Sequence, residues 1–199
     1  MKRLLVLTGA MLLSLSLMAA CNSDSGKQGD EDSIEKSNDN QKNNPIDAEQ
    51  SSGGFKDQTD LKIGDSGETE STIGKYKITV NSVKKVDEID GKTPSLDYYF
   101  IAEMTVENIG DEPYDVLDII DNLNFTKSLD SGGSGDFSKL HESVNHFEGT
   151  INPGESVTGE AAFQGQDSEV YYIKTIDGLI ASGAVKNQTI WSFGIRETE

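Results

Sequence analysis

Tyr98-Tyr99-Phe100-Ile101-Ala102-Glu103-Met104-Thr105-Val106-Glu107-Asn108 is the stretch that decides the fold class. Side chains alternate across an extended chain, so Tyr98, Phe100, Ala102, Met104 and Val106 share one face and Tyr99, Ile101, Glu103, Thr105 and Glu107 the other. One face is wholly apolar, which is the mark of a strand with a buried side. Asn108-Ile109-Gly110-Asp111-Glu112-Pro113 then ends it: Asn and Asp bond to nearby backbone, Gly accepts positive φ and Pro fixes the exit.

The same period of two recurs on either side. Lys75 to Val80 alternates polar and apolar residues, and further strands are expected at Asn124 to Leu129, Ser156 to Gln164, Val170 to Ile176 and Gln188 to Ile195. Turn-rich connections separate them, notably Ser131-Gly132-Gly133-Ser134-Gly135 and Asn152-Pro153-Gly154-Glu155. Val116, Leu117, Ile119 and Ile120 instead recur at helical spacing, so Tyr114 to Asp121 is expected to hold a short crossover helix. Six or seven strands with at most one short helix between Leu61 and Glu199 point to an all-β, antiparallel sandwich.

Upstream, the character changes twice. Asn22 to Asp60 contains only Ile34, Ile46, Ala48 and Phe55 as hydrophobic residues, with ten acidic and four basic ones. Such a stretch cannot bury enough to offset the entropy of ordering and is expected to be a disordered linker, with an end-to-end distance of roughly 35 Å. Before it, Lys2 and Arg3 precede an apolar run from Leu4 to Met18 and then small residues. That run is shorter than the ~20 residues a membrane-spanning helix needs and is interrupted by Thr8, Gly9, Ser14 and Ser16, so it reads as an export signal. Met18-Ala19-Ala20-Cys21 resembles the bacterial lipobox, where cleavage precedes a cysteine carrying diacylglycerol. Cys21 is the single cysteine of the chain and stands where that modification requires it. Two acyl chains, each CH₂ contributing about 0.8 kcal/mol on burial, anchor a protein stably. The expected organisation is a signal peptide over 1–20, a lipidated Cys21 with linker over 21–60 and a folded domain over 61–199. The expected location is the outer face of the cell membrane.

Charge narrows the partners. The 199 residues include 17 Lys or Arg and 35 Asp or Glu, a formal charge of −18, with 34% hydrophobic residues and a mean hydropathy of −0.50. Nucleic-acid binding by bulk charge is excluded, because it needs a basic stripe that displaces counterions from phosphates. One cysteine also rules out an intrachain disulfide.

Chemistry-bearing motifs are few. Ser82-Val83-Lys84-Lys85 matches S-x-x-K, but on a strand its Ser and Lys point to opposite faces, and the partner motifs are absent. No G-x-S-x-G, P-loop or H-E-x-x-H sequence occurs. His141 and His146 are five residues apart, a spacing that diverges on a strand or a helix, so both are expected at the surface. Asp111, Asp115, Asp118 and Asp121, with Glu112, crowd one segment, and Asp130 and Asp136 flank the glycine-rich loop. Oxygen ligands of this kind suit Ca²⁺, although neither set has EF-hand spacing. Tyr98, Tyr99, Tyr171, Tyr172, Trp191 and Phe193 could line a binding platform, but alternation places half of them in a core.

Gly74 to Val80, Tyr99 to Asn108 closed by Gly110 to Pro113, and Asn152 to Gly159 with Phe163 together resemble a domain-of-unknown-function family common in lipoproteins of Gram-positive bacteria. That family is grouped with the extracellular immunoprotection-type immunoglobulin-like fold, named after a secreted mycobacterial antigen. The resemblance covers Leu61 to Ile176. It implies an immunoglobulin-like sandwich and brings no catalytic residues. The chain also lacks the Cys-Trp-Cys arrangement of antibody domains. The expected protein is therefore a non-enzymatic, lipid-anchored surface protein whose domain binds a partner of the envelope or outside it. The alternative is an acidic, Ca²⁺-responsive lipoprotein of envelope homeostasis.

Overall fold

β4 (Tyr98–Asn108) is flanked on both sides: β3 (Gly74–Val86) and β8 (Ser156–Gly165) pair antiparallel with it. β2 (Ser66–Ser71) extends this sheet to the order β2-β3-β4-β8. A second sheet has the order β1-β10-β9-β6, formed by β1 (Gln58–Leu61), β6 (Leu123–Thr126), β9 (Val170–Thr175) and β10 (Thr189–Gly194). β5 (Tyr114–Asp115) and β7 (Thr150–Ile151) make a short separate ribbon. The computed structural model describes residues 54–198; the signal segment, Cys21 and the linker up to residue 53 lie outside the described residues.

The two sheets meet through the faces that the alternation marked. Phe100, Met104 and Val106 of β4 are fully buried against Phe125, Tyr171, Ile173, Trp191 and Phe193 of the other sheet. Ring centroids of Phe100 lie 4.4 Å from Phe125 and 4.6 Å from Tyr171; such pairs contribute about 0.5–1.5 kcal/mol beyond the area they bury. The opposite face of β4 is also covered in part. Tyr99 packs with Ile89, Val144 and Ala162 in a second cluster, because the connections on either side fold back over it.

α1 (Val116–Ile120) forms where helical spacing predicted it, burying Val116, Ile119 and Ile120. Asp115 is its N-cap, accepting the Leu117 N–H at 3.0 Å. A side-chain oxygen there satisfies a donor that the first turn leaves free.

Several expectations are corrected. The described residues hold a second helix, α2 (Asp177–Ser182), and two 3₁₀ turns, at Ser138–Leu140 and Ile195–Glu197. α2 buries no residue, so it left no apolar stripe to read. β6 stops at Thr126, short of Leu129, because Phe125 next pairs with Ser134 across the glycine-rich loop. β1 begins at Gln58, within the stretch assigned to the linker, and runs parallel to β10; the sheets are otherwise antiparallel. β2 packs close because Gly67 has no side chain: a Cβ there would lie 2.8 Å from Leu61 Cδ1 and 2.9 Å from Trp191.

Candidate functional site

Strand register fixes two poles. Gln58 lies opposite Thr189, at the start of β10, and Leu61 opposite Trp191. Phe55, just upstream, sits under the Lys75 ammonium, 5.8 Å from its ring centroid. The chain therefore enters beside the β2–β3 turn, at the pole that also holds the end of β4. At the far pole are the start of β4 and the ends of β6 and β8, since Tyr98 pairs with Gly165 and Thr126 with Tyr172.

The far pole carries a groove of about 550 Å³ between the β3–β4 connection, the glycine-rich loop and the end of β8. Its floor is set by two close approaches. A Cβ on Gly133 would stand 2.4 Å from the Phe125 carbonyl oxygen, and one on Gly165 2.7 Å from Phe125 and 2.8 Å from Phe100. Glycine at these positions lets the loop and β8 lie against the aromatic core. Ser134 locks the loop, exchanging two backbone hydrogen bonds with Phe125 and accepting the Gln164 N–H on its Oγ at 2.9 Å. Leu96, 43% exposed, and the half-buried Phe137 give the groove apolar contact, and Lys127 gives it one cation. No residue lining it is acidic, in a domain that carries 11 basic and 25 acidic residues after Asp60, net −14.

Beside the groove, Lys85 lies over the Tyr98 ring, 3.4 Å from its centroid, and 2.9 Å from an Asp167 carboxylate oxygen. Desolvation pulls the Lys85 pKa down, but the Asp167 hydrogen bond and the surrounding charges outweigh it, so the pKa is raised and the ammonium is held. Ser82 and Lys85 do fall on opposite faces: Ser82 pairs with outward Glu103 and Lys85 with inward Phe100. They form no nucleophile and base.

The acidic segment is dispersed. Asp115 caps α1, Asp121 ends it, and Asp111 and Asp118 are exposed. Among the described residues no three His, Cys, Asp or Glu side chains converge as a metal cluster. Asp136, read as one flank of a cation loop, is instead turned inward: its carboxylate accepts the Ser138 N–H, the Ser138 hydroxyl and the Ala162 N–H at 2.8, 2.6 and 2.8 Å. His146 is exposed, but His141 is buried, correcting the surface assignment. Its ring packs edge-on to Tyr99 at 5.0 Å, and its Nδ1 stands 3.9 Å from Asp90 without a hydrogen bond. Tyr99, Tyr171, Trp191 and Phe193 are core residues, so the six aromatics make no surface platform. Among the described residues no helix is long and apolar enough to cross a membrane.

The family described as Domain of unknown function (DUF4352) covers residues 63–185. The chain belongs to this family. The match takes in the whole groove and all strands except β1 and β10. No curated protein matches the chain. Three solved structures resemble the DUF4352 domain here. The candidate lipoprotein ycdA of Bacillus subtilis is 14% identical, with a TM-score of 0.46 over 64% of this chain and 38% of that one. The secreted protein MPT63 of Mycobacterium tuberculosis is 18% identical, with a TM-score of 0.49 over 67% of this chain and 96% of its own. The yjhA protein of Bacillus subtilis is 21% identical, with a TM-score of 0.44 over 66% and 97%. The aligned part thus spans less than two fifths of ycdA and nearly all of the other two. DUF4352 carries no described activity, and no catalytic family is indicated.

Proposed function

We propose that this DUF4352 protein is a non-enzymatic binding protein, held by a lipid on Cys21 at the outer face of the cell membrane. The far-pole groove is its recognition site. The observation that carries this reading is the placement of chain entry and groove at opposite poles, fixed by the pairing of Gln58 with Thr189 and of Tyr98 with Gly165. A domain tethered at one end and concave at the other offers its groove free of its own anchor. The lipobox at Met18 to Cys21 supports the anchor, and a lining of polar and apolar residues without a carboxylate supports the groove, because pockets with a few convergent polar groups are the usual places for ligands. Photocrosslinking in living cells tests it. Crosslinkers at Leu96 and Lys127 should give a common adduct that one at Ile73, near the entry pole, does not. Identical adducts from all three positions, or none from the groove, would overturn the assignment of the groove.

A further inference from the structure

We infer that His141 and Asp90 form a proton-operated clasp, closed when the imidazole is protonated, that holds the β3–β4 connection against the segment following the 3₁₀ turn at Ser138–Leu140. Two halves meet there. Asp90 and Gly91 both have positive φ, 53° and 70°, and Ile89 and Lys92 exchange two backbone hydrogen bonds around them. This is the two-residue hairpin that Asp-Gly favours. It presents its carboxylate to the other half: one Asp90 oxygen accepts the Ser143 N–H at 3.3 Å and stands 3.9 Å from His141 Nδ1. Lys92 donates to the Leu140 carbonyl at 2.8 Å, and Ile89 packs with Tyr99, Val144 and Ala162.

What the clasp lacks is a partner for the ring. The His141 side chain is 2% exposed, and its Nδ1 is buried without a hydrogen bond, a state that costs free energy. A protonated ring donates from both nitrogens, and a closure of about 1 Å would bring Nδ1 within hydrogen-bond range of a charged acceptor. The surrounding groups weigh both ways. Burial opposes the charge, as does the Lys92 ammonium on the neighbouring carbonyl. Tyr99 of β4 meets the ring edge-on at 5.0 Å and brings no charge, Glu160 of β8 is committed to the Asn145 N–H at 2.8 Å, and Lys139 and Glu142 on the segment itself are exposed. Asp90 is therefore the charge that answers the ring. Hydrogen bonding by the Ser143 side chain, and then by the backbone of Ser143 and Glu142, holds its carboxyl below the usual carboxylate range, so it stays ionised while histidines titrate, between about pH 5 and 8. The contact is present at the acid end of that window and lost as the pH rises through it. Leu96 and Phe137, which line the groove from the two clasped segments, lie four residues from Lys92 and His141, so acid steadies the groove. That consequence rests on the reading of the groove as a recognition site, and the clasp itself does not.

Amide exchange at Ser143 in the full chain, held in mild detergent and corrected for the intrinsic pH dependence of exchange, tests the clasp. Protection is expected to rise at least about threefold between about pH 7.5 and about pH 5.5. Asp90→Asn keeps an oxygen for the Ser143 N–H and a residue that tolerates positive φ, but removes the charge; His141→Phe keeps a ring against Tyr99 and removes the proton. Each should abolish the rise, whereas His146→Ala, which removes the other histidine of the chain, should leave it intact. Equal protection at the two pH values overturns the clasp. So does protection that falls in acid, which would mean that burial expels the charged ring, and so does a rise that survives Asp90→Asn or disappears in His146→Ala. The crosslinking comparison of Leu96 and Lys127 with Ile73 does not depend on any of these outcomes, so failure of the clasp and failure of the groove are distinguishable.

Discussion

The Gln58 side chain pairs with the backbone of Glu68: its Oε1 accepts the Glu68 N–H at 3.1 Å and its Nε2 donates to the Glu68 carbonyl at 2.7 Å. Asn187 completes the edge, accepting the Glu70 N–H at 3.0 Å and donating to the Glu68 carbonyl at 2.8 Å. Two side-chain amides thus occupy the edge of β2 that a neighbouring strand would use, which guards it against edge-to-edge pairing.

Asn187→Ala is expected to cost about 1–3 kcal/mol, because the side chain is buried and its loss strands backbone groups of Glu68 and Glu70. Gln58→Ala, at a partly exposed position, should cost less. Urea unfolding gives the size of each loss, and a double mutant that self-associates with rising concentration would show the edge to have been uncovered. Unchanged midpoints for both variants would refute the role assigned to the amides.

Gly165→Ala should destabilise the domain by about 1–3 kcal/mol, since its methyl group would enter the space of Phe100 and Phe125. Gly135→Ala is the control, with nothing within 4 Å of its Cβ position. Thermal melts separate the two; equal melting temperatures would contradict the packing at the groove floor.

Asp136→Ala removes one acceptor from three donors, two of them backbone N–H groups. A loss of about 1–3 kcal/mol is expected, with faster amide exchange at Ser138 and Ala162. Asp136→Asn keeps one oxygen and should recover part of it. If Ca²⁺ raised the melting temperature of the wild type and Asp136→Asn abolished that rise, the carboxylate would be a ligand and not an internal clamp.

Burial pushes Tyr76 up to about 12, and it raises Tyr114, whose ring centroid lies 6.4 Å away, as well. The folded state therefore holds these protons where the unfolded chain has lost them. The associated stability is full below pH 10 and disappears as the pH rises through 12. A shift of this size corresponds to about 2–3 kcal/mol for Tyr76. Tyr76→Phe should shallow the decline in stability between pH 10 and 12, while Tyr114 keeps part of it. An alkaline stability profile identical to the wild type would contradict the assignment.

What the sequence disclosed follows from where apolar residues alternate. β4, β3, β8 and β9 each bury an apolar face, and α1 buries three residues at helical spacing. β1 and β2 read Gln-Thr-Asp-Leu and Ser-Gly-Glu-Thr-Glu-Ser, and they are strands by virtue of their partners: the inward residues of β2 are Gly67 and Thr69, which carry no hydrophobic signal. Asp90 escaped notice for a related reason. It adopts φ 53° before Gly91 in a tight turn that brings it to His141, a contact between residues fifty-one positions apart. The groove was legible only as a turn, since serine, glycine and glutamine carry no catalytic or metal signature.

The central claim is that a lipid on Cys21 holds the domain at the membrane surface, and the intact mass of the protein purified from membranes of its native host tests it most directly. The account predicts a chain that begins at Cys21 and carries a diacylglyceryl group, and a Cys21→Ala chain that retains residues 1–20 and takes up no acyl label. A wild-type chain with a free Cys21 thiol, or acyl label persisting on Cys21→Ala, would contradict it.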